Sequence, residues 1–418
     1  MTAPLVWIFF ILLAAAVPVA HAMLGGTAAA LLLEGRPMAV IAQRLYTPTQ
    51  SFPMLAIPFF ILAGSLMMSG RFGVYLVNIA RLLVGNLKGG LGQVSIIGSV
   101  MFGGVSGSAV ADASALGNAL IPVQKEQGYP AGFAAAINSA SSTVSVLIPP
   151  SIPLILYGLV SNVSIIDLFV AGILPGVMLG VGMFATVWLV AHRHNLPRSP
   201  LAGGFRAFRS QIGMAIPALL MPVFVIGTLR FGVATPTEVS VMAVAYALIV
   251  SGLIYRDLTL AGIWRALGDT AVMTGVVMFI IMASSTIQWI LTAEQVPQAL
   301  TEWVIGAFSE PWMVILALNL VMIVVGAFLD LPAAVLLLGP LFVTIGQAIG
   351  LDPVQLGLMM VVNLSIGLYT PPVGTTLFIS AAIAKAGLGE TICALLPFYA
   401  VALVVLLLIS YMPALTIY

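Results

Sequence analysis

Charge is scarce in this sequence. Only 6% of its 418 residues are Asp, Glu, Lys or Arg and 61% are hydrophobic, whereas a soluble domain is about 25% charged. No stretch is long or polar enough to form a separate soluble domain. The balance of 14 Lys and Arg against 13 Asp and Glu leaves no basic excess to bind nucleic acid. A single cysteine, Cys393, excludes a disulfide framework and argues against a metal cluster; it reads as a small apolar filler in a late apolar segment. There are three histidines, and no organic cofactor is expected. The chain has instead long apolar runs of roughly 20 residues, the length that crosses a bilayer as a helix. It reads as an all-α polytopic membrane protein.

Two double prolines, Pro149-Pro150 and Pro371-Pro372, interrupt such apolar segments 222 residues apart. Proline removes a backbone donor and clashes with the preceding turn, so each pair breaks its helix. In lipid a broken helix survives only where protein or a watery cavity covers the freed polar groups. Two such breaks at corresponding places in two halves of a chain point to a transporter's binding site.

The apolar segments are Pro4–Ala22, Met23–Leu33, Phe52–Met68, a pair at Gly92–Val105 and Gly107–Val123, the broken segment Pro130–Val160, and Leu168–Ala191. Beyond a polar stretch at His192–Gln211 come Ile212–Thr228, Pro236–Ile254, Val272–Leu291, a pair at Trp312–Phe328 and Leu331–Ile349, the broken segment Val354–Ala384, and Thr391–Met412. Val19-Ala20-His21-Ala22 resembles a signal-peptidase site, but no basic residue precedes the apolar run and apolar sequence resumes at Met23. The start therefore reads as a retained membrane helix.

Arg71, Arg81, Lys88, Lys125, Arg193, Arg198, Arg206, Arg209, Arg256, Arg265 and Lys385 fall on one side of this span order; Arg36, Arg44 and Arg230 fall on the other. The first side is therefore cytoplasmic, which makes the basic stretch 192–211 a cytoplasmic connector. On this layout both paired segments turn back without crossing, as re-entrant hairpins, one from each side. At an offset of 222, Gly104 meets Gly326, Gly117 meets Gly339, Gly128 meets Gly350, and the two proline pairs coincide. The reading is an inverted repeat. Residues 1–191 form the first repeat, with scaffold helices in 1–70, a hairpin at 92–123 and a broken helix at 130–160. Residues 212–418 form the second, with scaffold helices in 212–291, a hairpin at 312–349 and a broken helix at 354–384. The tryptophans, Trp289 among them, mostly fall near span ends and read as interfacial.

The polar residues gather at these irregular points. The first hairpin carries Ser106, Gly107, Ser108 and Asp112; the broken segment behind it carries Asn138, Ser139, Ser141, Ser142 and Thr143 before Pro149 and Pro150. The second half supplies Asp330 at its hairpin turn, Asn363 and Ser365, then Thr370, Pro371, Pro372, Gly374, Thr375 and Thr376. Hydroxyls and carbonyls suit a hard cation such as Na⁺, and the ends of unwound half-helices offer both carbonyls and amides. Asp112 and Asp330 are the acids at membrane depth, where ionisable groups are functional by default. Asp330 could also cap its helix, and Asp112 could pair with Lys88 or Lys125.

Ile57-Pro58-Phe59-Phe60-Ile61-Leu62-Ala63-Gly64, the run from Gly103 to Asp112, Leu147-Ile148-Pro149-Pro150-Ser151-Ile152-Pro153, Ala234-Thr235-Pro236-Thr237-Glu238 and Gly367-Leu368-Tyr369-Thr370-Pro371-Pro372-Val373-Gly374 resemble motifs of the large, DctM-like permease subunit of tripartite ATP-independent periplasmic (TRAP) transporters. The likeness runs over essentially the whole chain. It implies the elevator-type fold of the ion transporter superfamily, with both hairpins and both broken helices in a mobile domain. It also implies Na⁺-coupled import of organic acids, carboxylates or sialic-acid-like, across the bacterial inner membrane. The expected partners are a small four-helix membrane subunit, here a separate chain, and a periplasmic substrate-binding protein. Carried over onto this sequence, one Na⁺ site maps to Ser106, Gly107, Ser108 and Pro149. The other maps to Asp330, Thr370, Gly374 and Thr375, with substrate near Ser106, Ser141, Ser142, Asp330 and Asn363.

Two other functions compete. Gly104-Val105-Ser106-Gly107 matches the Gly-x-Ser-Gly of intramembrane serine proteases, but such a serine needs a base in reach, and His21, His192 and His194 are poorly placed. A passive channel usually puts its filter on an oligomer axis, whereas two internal broken-helix sites suit alternating access.

Overall fold

The computed structural model describes residues 1–70, 72–199, 204–308 and 310–416, without the side chains of 204–211 and 218. Among the described residues all regular structure is helical. The chain opens with α1 (Thr2–Ala14) and α2 (Val19–Leu33). A single span over Pro4–Ala22 was expected. The chain instead turns at Ala16, whose φ is +60°, and Pro18 caps the next helix. The Met1 amine lies 3.2 Å from Glu34 Oε1, so α1 and α2 form an antiparallel pair. The short helix α3 (Ala39–Tyr46) passes through 3₁₀ turns holding Pro48 and Pro53 into α4 (Ala56–Met68), bent by 68°. Next comes α5 (Phe72–Val84), an amphipathic helix missing from the span order read above. Arg71 lies outside the described residues.

The first hairpin is α6 (Gly90–Ser106) and α7 (Ala109–Glu126), joined by two residues. The broken helix follows as α8 (Ala131–Ser141), a 3₁₀ turn over Ser142–Val146, the double proline, and α9 (Ile152–Ser161); α10 (Ile165–Arg193) closes this half. Of the connector read at 192–211, α10 takes the first two residues. Ser199 N–H donates to Gly85 O at 2.8 Å and Gly89 N–H to Pro197 O at 3.1 Å, pinning the next part to the α5–α6 turn. Residues 200–203 and the side chains of Arg206 and Arg209 lie outside the described residues.

The second half runs α11 (Gly204–Arg230), α12 (Pro236–Ile249, ending in a π turn), the 34-residue α13 (Leu260–Ala293) and α14 (Val296–Ala307). It continues with the hairpin α15 (Pro311–Phe328) and α16 (Leu331–Ala348), the broken helix α17 (Pro353–Gly367) and α18 (Thr375–Ala384), and α19 (Leu388–Tyr411). Among the described residues seven helices, or eight counting the bent pair, are long and apolar enough to cross a membrane. The register of 222 reappears in the element bounds: α7 and α16 begin and end that far apart, α6 and α15 end so, and α8 and α17 begin so. The amphipathic α5 and α14 follow it within two residues.

One layer packs α18 on α7 and α8, α19 on α8 and α17, and α15 and α16 on α17. A second layer packs α4 on α12 and α13, and α2 on α13. Polar groups pin the halves together. Lys125 Nζ donates to Ala384 O at the C-terminus of α18 (2.5 Å), and Gly132 N–H in the first turn of α8 donates to Glu390 Oε1 (2.9 Å). Each charge sits at the helix end whose dipole favours it. Lys88 donates to Asn195 Oδ1 at 3.1 Å, so neither lysine is the partner of Asp112. Trp7, Trp188, Trp264, Trp303 and Trp312 are exposed, as interfacial residues would be. Cys393, read as buried filler, is exposed on α19.

Candidate functional site

At the first hairpin tip Gly107 closes α6 with φ +57°, a backbone that only glycine adopts freely. A Cβ there would stand 2.2 Å from Pro150 O. The tip therefore rests backbone-to-backbone on the first double proline. Ser108 then caps α7, its Oγ accepting from Ala111 N–H at 3.4 Å, while Ser106 Oγ accepts from Ser108 N–H at 3.4 Å. Beyond the break Ser151 caps α9, accepting from Leu154 N–H at 3.3 Å.

The second tip repeats the arrangement. A Cβ on Gly367 would lie 2.2 Å from Gly326 O, and Val373 N–H donates to Ala327 O at 3.2 Å. The second break is thus held directly by the second hairpin. Leu368 O accepts from both Thr376 N–H and Thr376 Oγ1 at 2.9 Å, and Thr370 Oγ1 donates to Ile366 O at 2.7 Å. Asp330 occupies the cap position of α16, yet its side chain makes no capping bond. Beyond the adjacent Leu331 N–H, the carboxylate has acceptor capacity left for a further partner. Thr375 Oγ1 is buried without a hydrogen-bond partner among the described residues.

These features share one cavity of about 480 Å³ whose wall includes Gly107, Ser108, Asp330, Leu368, Val373 and Thr375. That volume suits a small organic ligand. A second cleft of about 440 Å³, lined by Ser106, Ser114, Arg265 and Asp269, shares Ile61, Ser108, Val110, Ile152 and Met273 with the first. The two adjoin. A third cleft of about 600 Å³, lined by Arg44, Gln288 and Trp289, has no lining residue in common with either.

Of the residues singled out in the sequence, Gly107, Ser108, Asp330 and Thr375 come together on the cavity wall, with Ser106 in the adjoining cleft. Pro149, Pro150 and Gly374 are buried in the two breaks, Thr370 is half-buried, and Pro371 and Pro372 are exposed. Ser141, Ser142 and Asn363 are fully buried and line none of these cavities. Ser142 donates to Ser139 O at 2.9 Å, and Asn363 Nδ2 donates to Asn319 O at 3.0 Å and to Asn319 Oδ1 at 2.9 Å.

Asp112, left outside the site in the sequence reading, has both carboxylate oxygens buried without a hydrogen-bond partner among the described residues. Ser99, whose hydroxyl lies beside it, donates to Ser141 Oγ at 3.1 Å instead. Its place in the Gly103–Asp112 motif was the available signal; its isolation is a tertiary property. A carboxylate buried this way carries a proton or faces a cation. No histidine lines the cleft that holds Ser106; His21 packs against Phe279 and His192 against Trp188. The oxygens at hand are hydroxyls, carbonyls and single carboxylates, the donors a hard cation takes.

The model of the tripartite ATP-independent periplasmic transporter DctM component matches residues 6–415. The chain is 35% identical to the C4-dicarboxylate TRAP transporter large permease protein DctM of Pseudomonas aeruginosa, over 94% of this chain and 92% of that one. It is 35% identical to the sialic acid TRAP transporter large permease protein SiaM of Vibrio cholerae, over 90% and 88%. Among solved structures, the YdaH transporter of Alcanivorax borkumensis superposes with a TM-score of 0.61 at 16% identity, covering 90% of this chain and 87% of that one; this likeness bears on the fold. The relatives are permeases and not enzymes, and with the apolar helices they make this a multi-pass protein of the bacterial inner membrane. The chain belongs to the DctM family of large permease subunits of tripartite ATP-independent periplasmic transporters.

Proposed function

We propose that this subunit imports an organic acid by coupling its entry to Na⁺, with the acid held in the cavity between the two hairpin tips. The observation that carries the reading is the shared wall: Ser108 from one hairpin, Asp330 from the other and Thr375 from the second break face one volume. Dicarboxylate and sialic acid permeases among the relatives support an acidic substrate. One Na⁺ site would take oxygens of Ser106, Gly107, Ser108 and Pro149; the other would take Asp330, Thr370, Gly374 and Thr375. The uncommitted Thr375 hydroxyl and the non-capping Asp330 carboxylate fit that role. Asp112 is a further place for a coupling cation.

In this reading residues 1–191 and 212–418 are inverted repeats. Their hairpins, broken helices, α10 and α19 form a mobile body that slides against α2, α4, α12 and α13. The cavity adjoins the cleft at Arg265, on the side that the basic residues make cytoplasmic, which makes that cleft the route of release in this reading. A small membrane subunit and a periplasmic binding protein would complete the transporter.

Vesicles holding this chain with its small subunit, supplied with the binding protein and labelled succinate or sialic acid, test the proposal. Uptake should require an inward Na⁺ gradient and the binding protein. Leak that needs neither would replace the carrier with a pore.

A further inference from the structure

Two arginines stand near opposite ends of α13. Arg265 lies in its second turn, in the cleft that adjoins the hairpin cavity. Arg44, near the end of α3, lines the separate cleft, its guanidinium carbon 5.7 Å from the centre of the Trp289 ring. At 1.5 Å per residue, Arg265 and Trp289 are about 36 Å apart along the helix, roughly the thickness of a bilayer's apolar core. Trp289, read above as an interfacial residue, is half-buried and serves Arg44 as a cation–π surface.

The two clefts are one feature repeated. Arg44 and Arg265 are 221 residues apart, within one residue of the register that aligns the hairpins. By that register Ser65 and Ser69 of the one cleft fall beside Gln288 and Thr292 of the other. A single charged residue breaks the correspondence. Asp269, one turn beyond Arg265, lines its cleft, and the register puts Thr47 in its place beside Arg44. Arg44 is thus the one charged side chain lining its cleft among the described residues, whereas Arg265 shares its cleft with an acid. The nearest acid to the Arg44 cleft along α13 is Glu294, which faces the Met1 amine at 3.6 Å.

We propose that Arg44 and Arg265 are paired anion stations for the substrate's carboxylate, one at each mouth of the path. The exchange of Thr47 for Asp269 makes them unequal. The outer station is a net cation that attracts and holds an acid before the hairpin cavity is presented to it. The inner station is charge-balanced and lets the acid go. The assignment rests on the transport reading and adds to it which residues meet the acid outside the cavity, and why capture and release fall on different sides.

A charge-selective labelling experiment isolates the electrostatic part, without any substrate. Cys393→Ser removes the native thiol, and Thr292→Cys or Ser65→Cys places a reporter in the outer or inner cleft of the full chain. The ratio of reaction rates with anionic and cationic methanethiosulfonates is then measured. At Thr292→Cys the ratio should fall about fivefold on adding Arg44→Gln and be kept by Arg44→Lys; at Ser65→Cys it should rise about fivefold on adding Asp269→Asn. An unchanged ratio in either pair overturns the asymmetry. In vesicles, Arg44→Gln should raise the half-saturating external succinate with little loss of maximal rate, and Arg44→Lys should restore it. Asp269→Asn should lower the half-saturating internal succinate in counterflow. An Arg44→Gln transporter with unaltered external half-saturation overturns the station. The labelling ratios stand apart from the transport reading, which fails by itself if the parent complex takes up no acid.

Discussion

Ser139 and Thr376, 237 residues apart in sequence, face each other across the two broken helices with their hydroxyl oxygens 3.1 Å apart. Thr376 Oγ1 also lies 3.2 Å from Ser139 O and 2.9 Å from Leu368 O. Next to them Asn138 Nδ2 donates to Ala113 O at 2.9 Å and Ser380 Oγ at 2.8 Å. The first hairpin and both broken helices are therefore tied by one buried polar cluster. Such a cluster defines the pairing because any member left alone loses its partners without gaining water.

Thr376→Val removes the hydroxyl at nearly constant shape and strands its partners. It should lower stability by about 1–3 kcal/mol, read as an earlier midpoint in thermal unfolding of the detergent-solubilised protein. Thr376→Ser should stay near the parent. Equal midpoints for Val and parent would show that the cluster does not hold the halves together.

Gly107→Ala sets a methyl group 2.2 Å from Pro150 O and adds the strain of a left-handed backbone, about 1–2 kcal/mol. The tip must lift from the first break, so uptake should fall at least tenfold while the protein still inserts and purifies. Parent-like uptake would mean the tip does not need to rest on the double proline.

Asp330→Asn keeps the size of the side chain and removes its charge. If the carboxylate helps hold Na⁺, the Na⁺ concentration for half-maximal uptake should rise about tenfold, the effect of roughly 1.4 kcal/mol. Because Asp330 makes no side-chain cap, the unfolding midpoint should move little. An unchanged Na⁺ dependence would remove Asp330 from the ion site.

Asp112→Asn tests the unpartnered buried acid. The amide carries no charge and so avoids the larger cost of an unpaired buried carboxylate. The variant should therefore be as stable as the parent or more so, and should show a weaker dependence of uptake on the ion gradient. A destabilised protein with normal coupling would make Asp112 structural.

Much of this architecture is legible in the sequence because proline and glycine punctuate it. The double prolines mark both breaks, and the Gly107-Ser108 and Leu329-Asp330 joins fall where the paired apolar segments meet. Legibility fails where helices are short or amphipathic. The helices α5 and α14, 13 and 12 residues long with polar residues inside them, fall short of a membrane-length apolar run, and the turn at Ala16 replaces a continuous span with a pair. Within the site, the residue types at both hairpin tips can be read from local motifs. That Ser141, Ser142 and Asn363 lie away from the cavity wall cannot, because their hydrogen bonds run to Ser99, Ser139 and Asn319 and depend on how the helices pack. Arg265 is likewise ordinary in sequence and becomes part of a cleft only when α13 meets α4 and the first hairpin.

The most direct measurement is a high-resolution map of the transporter recorded in high Na⁺ and again with Na⁺ replaced by a bulky organic cation. Density for ions should sit among Ser106, Gly107, Ser108 and Pro149, and between Asp330 and Thr375, in the first map and be absent from the second. Maps that are identical and empty at both double-proline breaks would contradict the account.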